Sequence, residues 1–351
     1  MSNSTTSSTT SNRMNPDVRP KALYILDPVA RTVIYGLEEQ GELKELADFC
    51  GEPQSADSIK ANLSLLSEVE VIFSGWGAPV MDEAFLAAAP KLRAVFYGAG
   101  TIRYFMTPAF WKRNIAITCA ADANAIPVAE FTQAAIVLSL KKFWSLSATA
   151  KQDPTIWKNG GARQLPGCFR STVGFISLGA IAKKTLEFVR LLDVKRLVYS
   201  RSLTEEGAAQ LNVTRATIDE IFSQSDVVSL HTPDLPSTRG MIKGRHFEMM
   251  KPGATFINTA RGAVVNEGEM AGVLQRRPDL TALLDVVYPE PPASDSLLLK
   301  LPNVILTPHI AGSTGPECQR LGNYMLQEFR RYLAGEPLKW EVTEETVAGM
   351  A

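Results

Sequence analysis

Short β-rich runs alternate with helical stretches along almost the whole chain, and that alternation leaves few architectures open. From Lys21 the runs ALYILD, VEVIFS, LRAVFY and IAITCA read as buried parallel strands with helical sequence between them. A second series begins at STVGFIS and continues through KRLVYS, DVVSLHT, GATFINTA, LTALLDVV and NVILTP. Six strands separated by helices predict a doubly wound parallel sheet. With 351 residues, 45% of them hydrophobic, the chain can bury a sizeable core and is expected to form two α/β domains.

The boundary between the two series falls near Asn124. There, IPVAEFTQAAIVLSLKKFW places Val128, Phe131, Ala135 and Leu138 at helical spacing, which predicts a long amphipathic helix with Pro127 in its first turn. DPTIWKNGGARQLPG reads as a surface segment. The last helix is expected to open at STGPE, where Thr314 and Glu317 fit a capping box, and to run through Leu321, Met325 and Phe329 to a stop at Gly335 and Pro337. This helix is expected to return the chain to the first domain. The expected division is residues 1–20 as a disordered Ser/Thr-rich tail, 21–125 with 314–345 as one domain, and 126–313 as the other. A ligand-enclosing cleft is expected between them.

Charge and composition narrow the partners. A net charge of −1 supplies no basic face for nucleic acid or an anionic membrane. No apolar run approaching a membrane span is expected. The four cysteines lie far apart without a C-x-x-C, which fits reduced thiols in a cytoplasm, and the first residues have no apolar segment of a secretory signal. Three histidines without a second ligand at helical spacing predict no metal.

STVGFISLGAIAKKT, residues 171–185, reads as a strand, a tight turn and a helix, the setting in which a dinucleotide's pyrophosphate meets helix N–H groups. Ser177, Gly179 and Ala182 occupy the three fingerprint positions, with Ala180 and Ile181 at the helix start. Alanine is allowed at the third position. Serine at the first should cost about 1 kcal/mol if its φ is positive. The Lys and Ser/Thr of a Walker-type loop are missing. After the next strand, Ser200, Arg201 and Ser202 stand where a carboxylate would select NAD, so NAD or NADP is expected, with Arg201 suited to a 2′-phosphate.

Arg261, Glu290 and His309 each follow a strand of the second series and are expected at the same sheet edge. Together they suit hydride transfer to a 2-oxo acid: a histidine donates the proton, a carboxylate favours its cationic form, and an arginine fork grips carboxylate and carbonyl.

From about Lys21 to Pro337 the chain resembles the D-isomer-specific 2-hydroxyacid dehydrogenase family, on the motifs VAEF, the glycine turn, DVVSLHTP, INTARGAVVNEGEM, LLDVVYPEPP and LTPHIAGST. The resemblance implies that 126–313 is a Rossmann-type dinucleotide-binding domain and that 21–125 with 314–345 is a smaller flavodoxin-like substrate domain. It implies that Arg261 binds substrate, that His309 is the catalytic acid–base and that Glu290 is its partner. It also implies that Asp285 contacts the nicotinamide carboxamide and that His231, Thr232, Pro233, Thr259 and Ala260 line the cofactor. Tyr97, Gly98, Ala99 and Gly100, within YGAGTIRYF, match the loop whose N–H groups hold the substrate carboxylate. That stretch lacks the common V-D-N-I-D continuation, and Arg103 and Tyr104 are expected to add a charge and a ring. Glutamate at 290 argues against a formate dehydrogenase. The chain is expected to lack the regulatory domain of some phosphoglycerate dehydrogenases. A homodimer reducing a small 2-oxo acid, such as glyoxylate, hydroxypyruvate or a phosphoglycerate-like acid, is the leading expectation. The alternative is a nucleotide-sensing, corepressor-like interaction module.

Overall fold

The computed structural model describes residues 19–158, 165–347 and 349–350. Most of the Ser/Thr-rich tail and the centre of the Gly/Pro-rich surface segment lie outside the described residues. The chain divides into two compact units, one formed by the chain up to Asn124 together with Gly315–Met350, the other by Ala125–Thr314.

The first unit holds strands β1 (Lys21–Ile25), β2 (Asp48–Phe49), β3 (Val71–Ser74), β4 (Ala94–Tyr97) and β5 (Ala116–Cys119). They form one parallel sheet in the order β2-β1-β3-β4-β5, the flavodoxin-like version of the doubly wound plan. β2 has no counterpart among the expected strands because two residues carry no period. The helix Glu317–Ala334 covers one face. Phe329 from this helix meets Phe73 and Phe96 edge-on, at centroid distances of 5.1 and 5.3 Å, while those two rings stack at 5.5 Å. The helix starts at Glu317 with Pro316 in the cap position, two residues later than a Thr314 cap would place it. Beyond it the chain returns beside β5. Cys119 N–H donates to the Trp340 carbonyl (3.1 Å) and Val342 N–H to that of Ile117 (2.8 Å), which covers the sheet edge.

The second unit holds β6 (Thr172–Ile176), β7 (Lys195–Tyr199), β8 (Thr214–Arg215), β9 (Val227–Leu230), β10 (Thr255–Asn258), β11 (Thr281–Leu284) and β12 (Val304–Leu306). Their order is β12-β11-β10-β9-β6-β7-β8, all parallel. This is a Rossmann-type sheet with a seventh strand. β8, again two residues long, escapes sequence patterning. The chain starts in the middle, leaves toward β8, then returns to the other side of β6, so the strand order reverses between β6 and β9. Crevices at such reversals are where α/β sheets bind ligands.

One expected element differs. The helix predicted from Pro127 begins at Ala121 and runs to Leu140, with Pro127 buried inside it. It is apolar on nearly every side rather than amphipathic. By length and composition it is the one helix among the described residues that could cross a membrane, contrary to expectation. Of its 18-residue apolar window 56% is buried, and Ala135, Ile136 and Leu140 pack with Val173, Phe175 and Ile257 of the sheet. An all-round apolar surface is what a helix enclosed by protein also needs.

Removing the Phe329 ring should leave a cavity under β3 and β4. We expect Phe329→Ala to lower stability by about 3–5 kcal/mol, read as a shift of the denaturant midpoint.

Candidate active site

The glycine turn lies at the reversal point. Ser177 follows β6 with φ +82°, in the region L-residues avoid, and its N–H donates to the Tyr199 carbonyl at 2.7 Å. The first fingerprint position therefore has the glycine-like backbone that the turn requires, although it carries a Cβ. Gly179 caps the helix Ala180–Phe188 with no side-chain hydrogen bond, and a Cβ built on it meets nothing within 4 Å. The helix start at Ala180 and Ile181 thus has open space in front of it and no side chain covering its N–H groups. Ala182, the third position, is fully buried against the sheet. These features fit a pyrophosphate on the helix N-terminus.

Beside the turn, at the ends of β7 and β8, is a groove of about 370 Å³ whose wall includes Ser200, Arg201, Arg215, Thr217 and Glu220. Ser200 and Ser202 hydroxyls lie 3.2 Å apart. Among the described residues no carboxylate is within ion-pair distance of Arg201. Arg215 was not expected from the sequence; its place opposite Val198 in the β7–β8 ladder brings it there.

His231, Thr232 and Pro233 follow β9 on the other side of β6. His231 N–H donates to the Ile176 carbonyl at 2.9 Å, tying this loop to the glycine turn. Its ring stacks on Phe175 at 5.9 Å, Nε2 lies 3.0 Å from Ser229 Oγ, and Nδ1 is buried without a partner. Burial pushes its pKa down to about 4. That ring is held neutral at physiological pH by its burial.

Three loops build the candidate acid–base centre. After β10, the Asn258 amide accepts from Ala260 N–H (3.0 Å) and donates to the Arg261 carbonyl (3.1 Å), and this sets the turn of N-T-A-R. Thr259 Oγ1 lies 3.2 Å from Thr132 Oγ1. Gly262 lies against the next loop so closely that a Cβ would sit 2.1 Å from the Val287 carbonyl carbon. That contact brings the Arg261 loop against the segment carrying Glu290. Burial draws the Arg261 guanidinium below its usual pKa, opposed by the charges of Glu290 and Asp234.

After β12 the chain turns sharply. His309 has φ +54°, and its N–H points to the carbonyls of Asp285 and Thr307, both at 3.0 Å. The Asp285 carboxylate, buried after β11, accepts from Thr307 Oγ1 (2.6 Å), Ile310 N–H (2.8 Å) and Ala311 N–H (2.9 Å). The group that the resemblance assigns to the nicotinamide carboxamide is thus bonded to the loop that carries His309. His309 Nδ1 then meets Glu290 Oε1 at 2.8 Å, with both side chains still reachable by solvent. The structure brings together Glu290 and His309 by direct contact, and Arg261 beside them. Asn258, Gly262 and Thr307 were not singled out in the sequence, although all three sit within or next to its motifs.

In the first unit, the loop after β4 narrows the expected donor set. Gly98 N–H donates to Ser74 O and Ala99 N–H to Tyr97 O, both at 2.8 Å. Gly98 is glycine because a Cβ would sit 2.6 Å from Ile34 Cγ2. Of the four expected residues, Gly100 keeps an amide with no acceptor among the described residues, and Tyr97 contributes a phenol instead, 2.8 Å from that of Tyr104. Half of Tyr104 is exposed.

The fold and this constellation define a two-unit α/β protein with a dinucleotide-type turn and a histidine–carboxylate pair. The comparisons agree. A family model described as D-isomer specific 2-hydroxyacid dehydrogenase, NAD binding domain, matches residues 135–311. The chain belongs to the D-isomer specific 2-hydroxyacid dehydrogenase family. A D-3-phosphoglycerate dehydrogenase of Archaeoglobus fulgidus is 29% identical over 74% of this chain and 49% of its own. The chain spans about half the length of the curated phosphoglycerate dehydrogenases it matches. Among solved structures, apo D-mandelate dehydrogenase of Rhodotorula graminis superposes with a TM-score of 0.77 at 22% identity, covering 93% of this chain and 98% of the other. A phosphoglycerate oxidoreductase of Rhizobium etli gives 0.78 at 19% identity, covering 94% and 100%.

Two outcomes are expected from this geometry. Gly262→Ala must push the Arg261 and Tyr288 loops apart, so it should destabilise the protein and raise KM more than a surface Gly→Ala such as Gly41→Ala, in paired kinetic and melting measurements. A buried histidine with a lowered pKa binds fewer protons folded than unfolded. Its stability contribution is therefore full above the unfolded value near 6.5 and lost as pH falls toward about 4. Melting temperature should fall across that window in the wild type and fall less in His231→Phe.

Proposed function

We propose that the protein is an NAD(P)-dependent D-2-hydroxyacid dehydrogenase that reduces a small 2-oxo acid or oxidises the corresponding hydroxy acid. The observation carrying this reading is the 2.8 Å contact between His309 Nδ1 and Glu290 Oε1, on a loop fixed by Asp285 and beside Arg261. The nicotinamide, when bound, supplies or receives the hydride at the substrate's C2. His309 donates its Nε2 proton to the carbonyl oxygen in reduction and takes it back in oxidation. Glu290 accepts from Nδ1–H, which fixes the tautomer that leaves Nε2 facing outward and stabilises the imidazolium. Arg261 grips the substrate carboxylate with its planar fork, its attraction for that anion strengthened by the low-dielectric surroundings.

In this reading residues 126–313 bind the dinucleotide, with Gly179, Ala180 and Ile181 at the pyrophosphate. The Thr232–Pro233 and Thr259–Ala260 segments follow β9 and β10 at the same sheet edge. Residues 21–125 with 314–345 supply the substrate-side loop, where Gly100 offers an N–H to the acid. Ser200 and Arg201 favour acceptance of NADP, because no carboxylate at that strand end repels a 2′-phosphate. Substrates of glyoxylate, hydroxypyruvate or phosphoglycerate type, a homodimeric assembly and a cytoplasmic location complete the proposal. The four cysteines are free thiols, in keeping with a reducing compartment.

The test is His309→Ala. We expect kcat for 2-oxo-acid reduction to fall by about 100-fold or more while NADH or NADPH affinity, followed by nicotinamide fluorescence, stays within about twofold. Unchanged kcat would remove the histidine from the chemistry.

A further inference from the structure

The groove at the ends of β7 and β8 holds two arginines in different circumstances. Arg201 has no carboxylate partner among the described residues, whereas Arg215 Nη1 is paired with Glu205 Oε1 at 2.5 Å. That pair is open to water, with 44% of the Arg215 side chain and 82% of the Glu205 side chain exposed. Ion pairs so exposed contribute little and are screened by salt, so the guanidinium is readily drawn away by a stronger anion. The carboxylate in the groove wall itself is already committed: Glu220 Oε2 accepts from Thr217 N–H at 2.8 Å and from Thr217 Oγ1 at 2.9 Å. The groove wall thus carries two cations and one carboxylate, and Glu205 offsets Arg215 from the start of the neighbouring helix. Ser200 lines the same space.

We propose that this groove receives the 2′-phosphate of NADP, with Arg201 and Arg215 as its two cationic ligands, and that Glu205 holds Arg215 aside until the phosphate arrives. This rests on the reading of residues 126–313 as a dinucleotide-binding unit. A phosphate monoester carries between one and two negative charges near neutral pH and presents three acceptor oxygens, so it outcompetes a single exposed carboxylate for a guanidinium fork. Because Arg215 sits on β8 while Arg201 follows β7, the phosphate would be gripped from two strands. A nucleotide with a bare 2′-hydroxyl offers Arg215 no reason to leave Glu205. Selectivity then comes from an exchange of partners and does not depend on a repelling group.

The experiment is calorimetric titration of the full chain with 5′-AMP and, separately, adenosine 2′,5′-bisphosphate, at one fixed low ionic strength. The two probes differ by the phosphate alone. We expect the bisphosphate to bind about tenfold tighter or more. Arg215→Gln should cut that preference several-fold while leaving 5′-AMP affinity unchanged, which also serves as the check on folding. Glu205→Gln should tighten bisphosphate binding by freeing Arg215 and leave 5′-AMP alone. Equal binding of both probes by the wild type, or an undiminished preference in Arg215→Gln, overturns the proposal while leaving the nucleotide site in place. Binding of neither probe overturns the dinucleotide reading itself.

Discussion

The buried Asp285 carboxylate is the constraint on which the His309–Glu290 pairing depends. A carboxylate removed from water is tolerated only when hydrogen-bond donors replace the water, and here the donors come from the chain between Thr307 and Ala311. Satisfying one aspartate therefore folds the loop that aims His309 at Glu290. It also joins neighbouring strands, since Asp285 N–H donates to the Asn258 carbonyl at the end of β10. His309 can occupy a left-handed backbone conformation because this network over-determines its position.

Close backbone approach does comparable work on the arginine side. The contact between Gly262 and Val287 places a charged side chain next to the glutamate without any bond between the two loops' side chains. The candidate site is thus held by main chain and by buried polar groups, and the side chains of Arg261, Glu290 and His309 stay partly accessible. This division suits a site whose ligands must come and go while its geometry persists.

Most of the fold was legible because parallel strands covered on both faces are written as apolar runs, and ten of the twelve strands among the described residues carry such a run. The two that do not, β2 and β8, are two residues long and exist only through pairing with a neighbour. The start of the helix at Ala121 was obscured by Pro127, since a proline in sequence marks a first turn more often than an interior. The trio Arg261, Glu290 and His309 was readable from its motifs. Asn258, Gly262 and Thr307 were not, because a residue that positions others has no chemistry of its own to betray it. Likewise Gly98 and Ala99 look like amide donors in sequence, and the bonds that occupy those amides exist only in the folded turn.

The first unit draws its aromatic core from distant parts of the chain: Phe73 and Phe96 come early, and the ring that completes them, Phe329, comes after the whole second unit. The second unit is one continuous stretch. During synthesis, which proceeds from the N-terminus, β3 and β4 emerge long before their covering helix exists, while the later-made unit already has every strand it needs. The part of the molecule made first is consequently the last to be finished, and until the covering helix emerges its sheet has only early residues such as Ala30, Ile34, Tyr35 and Leu43 to cover that face.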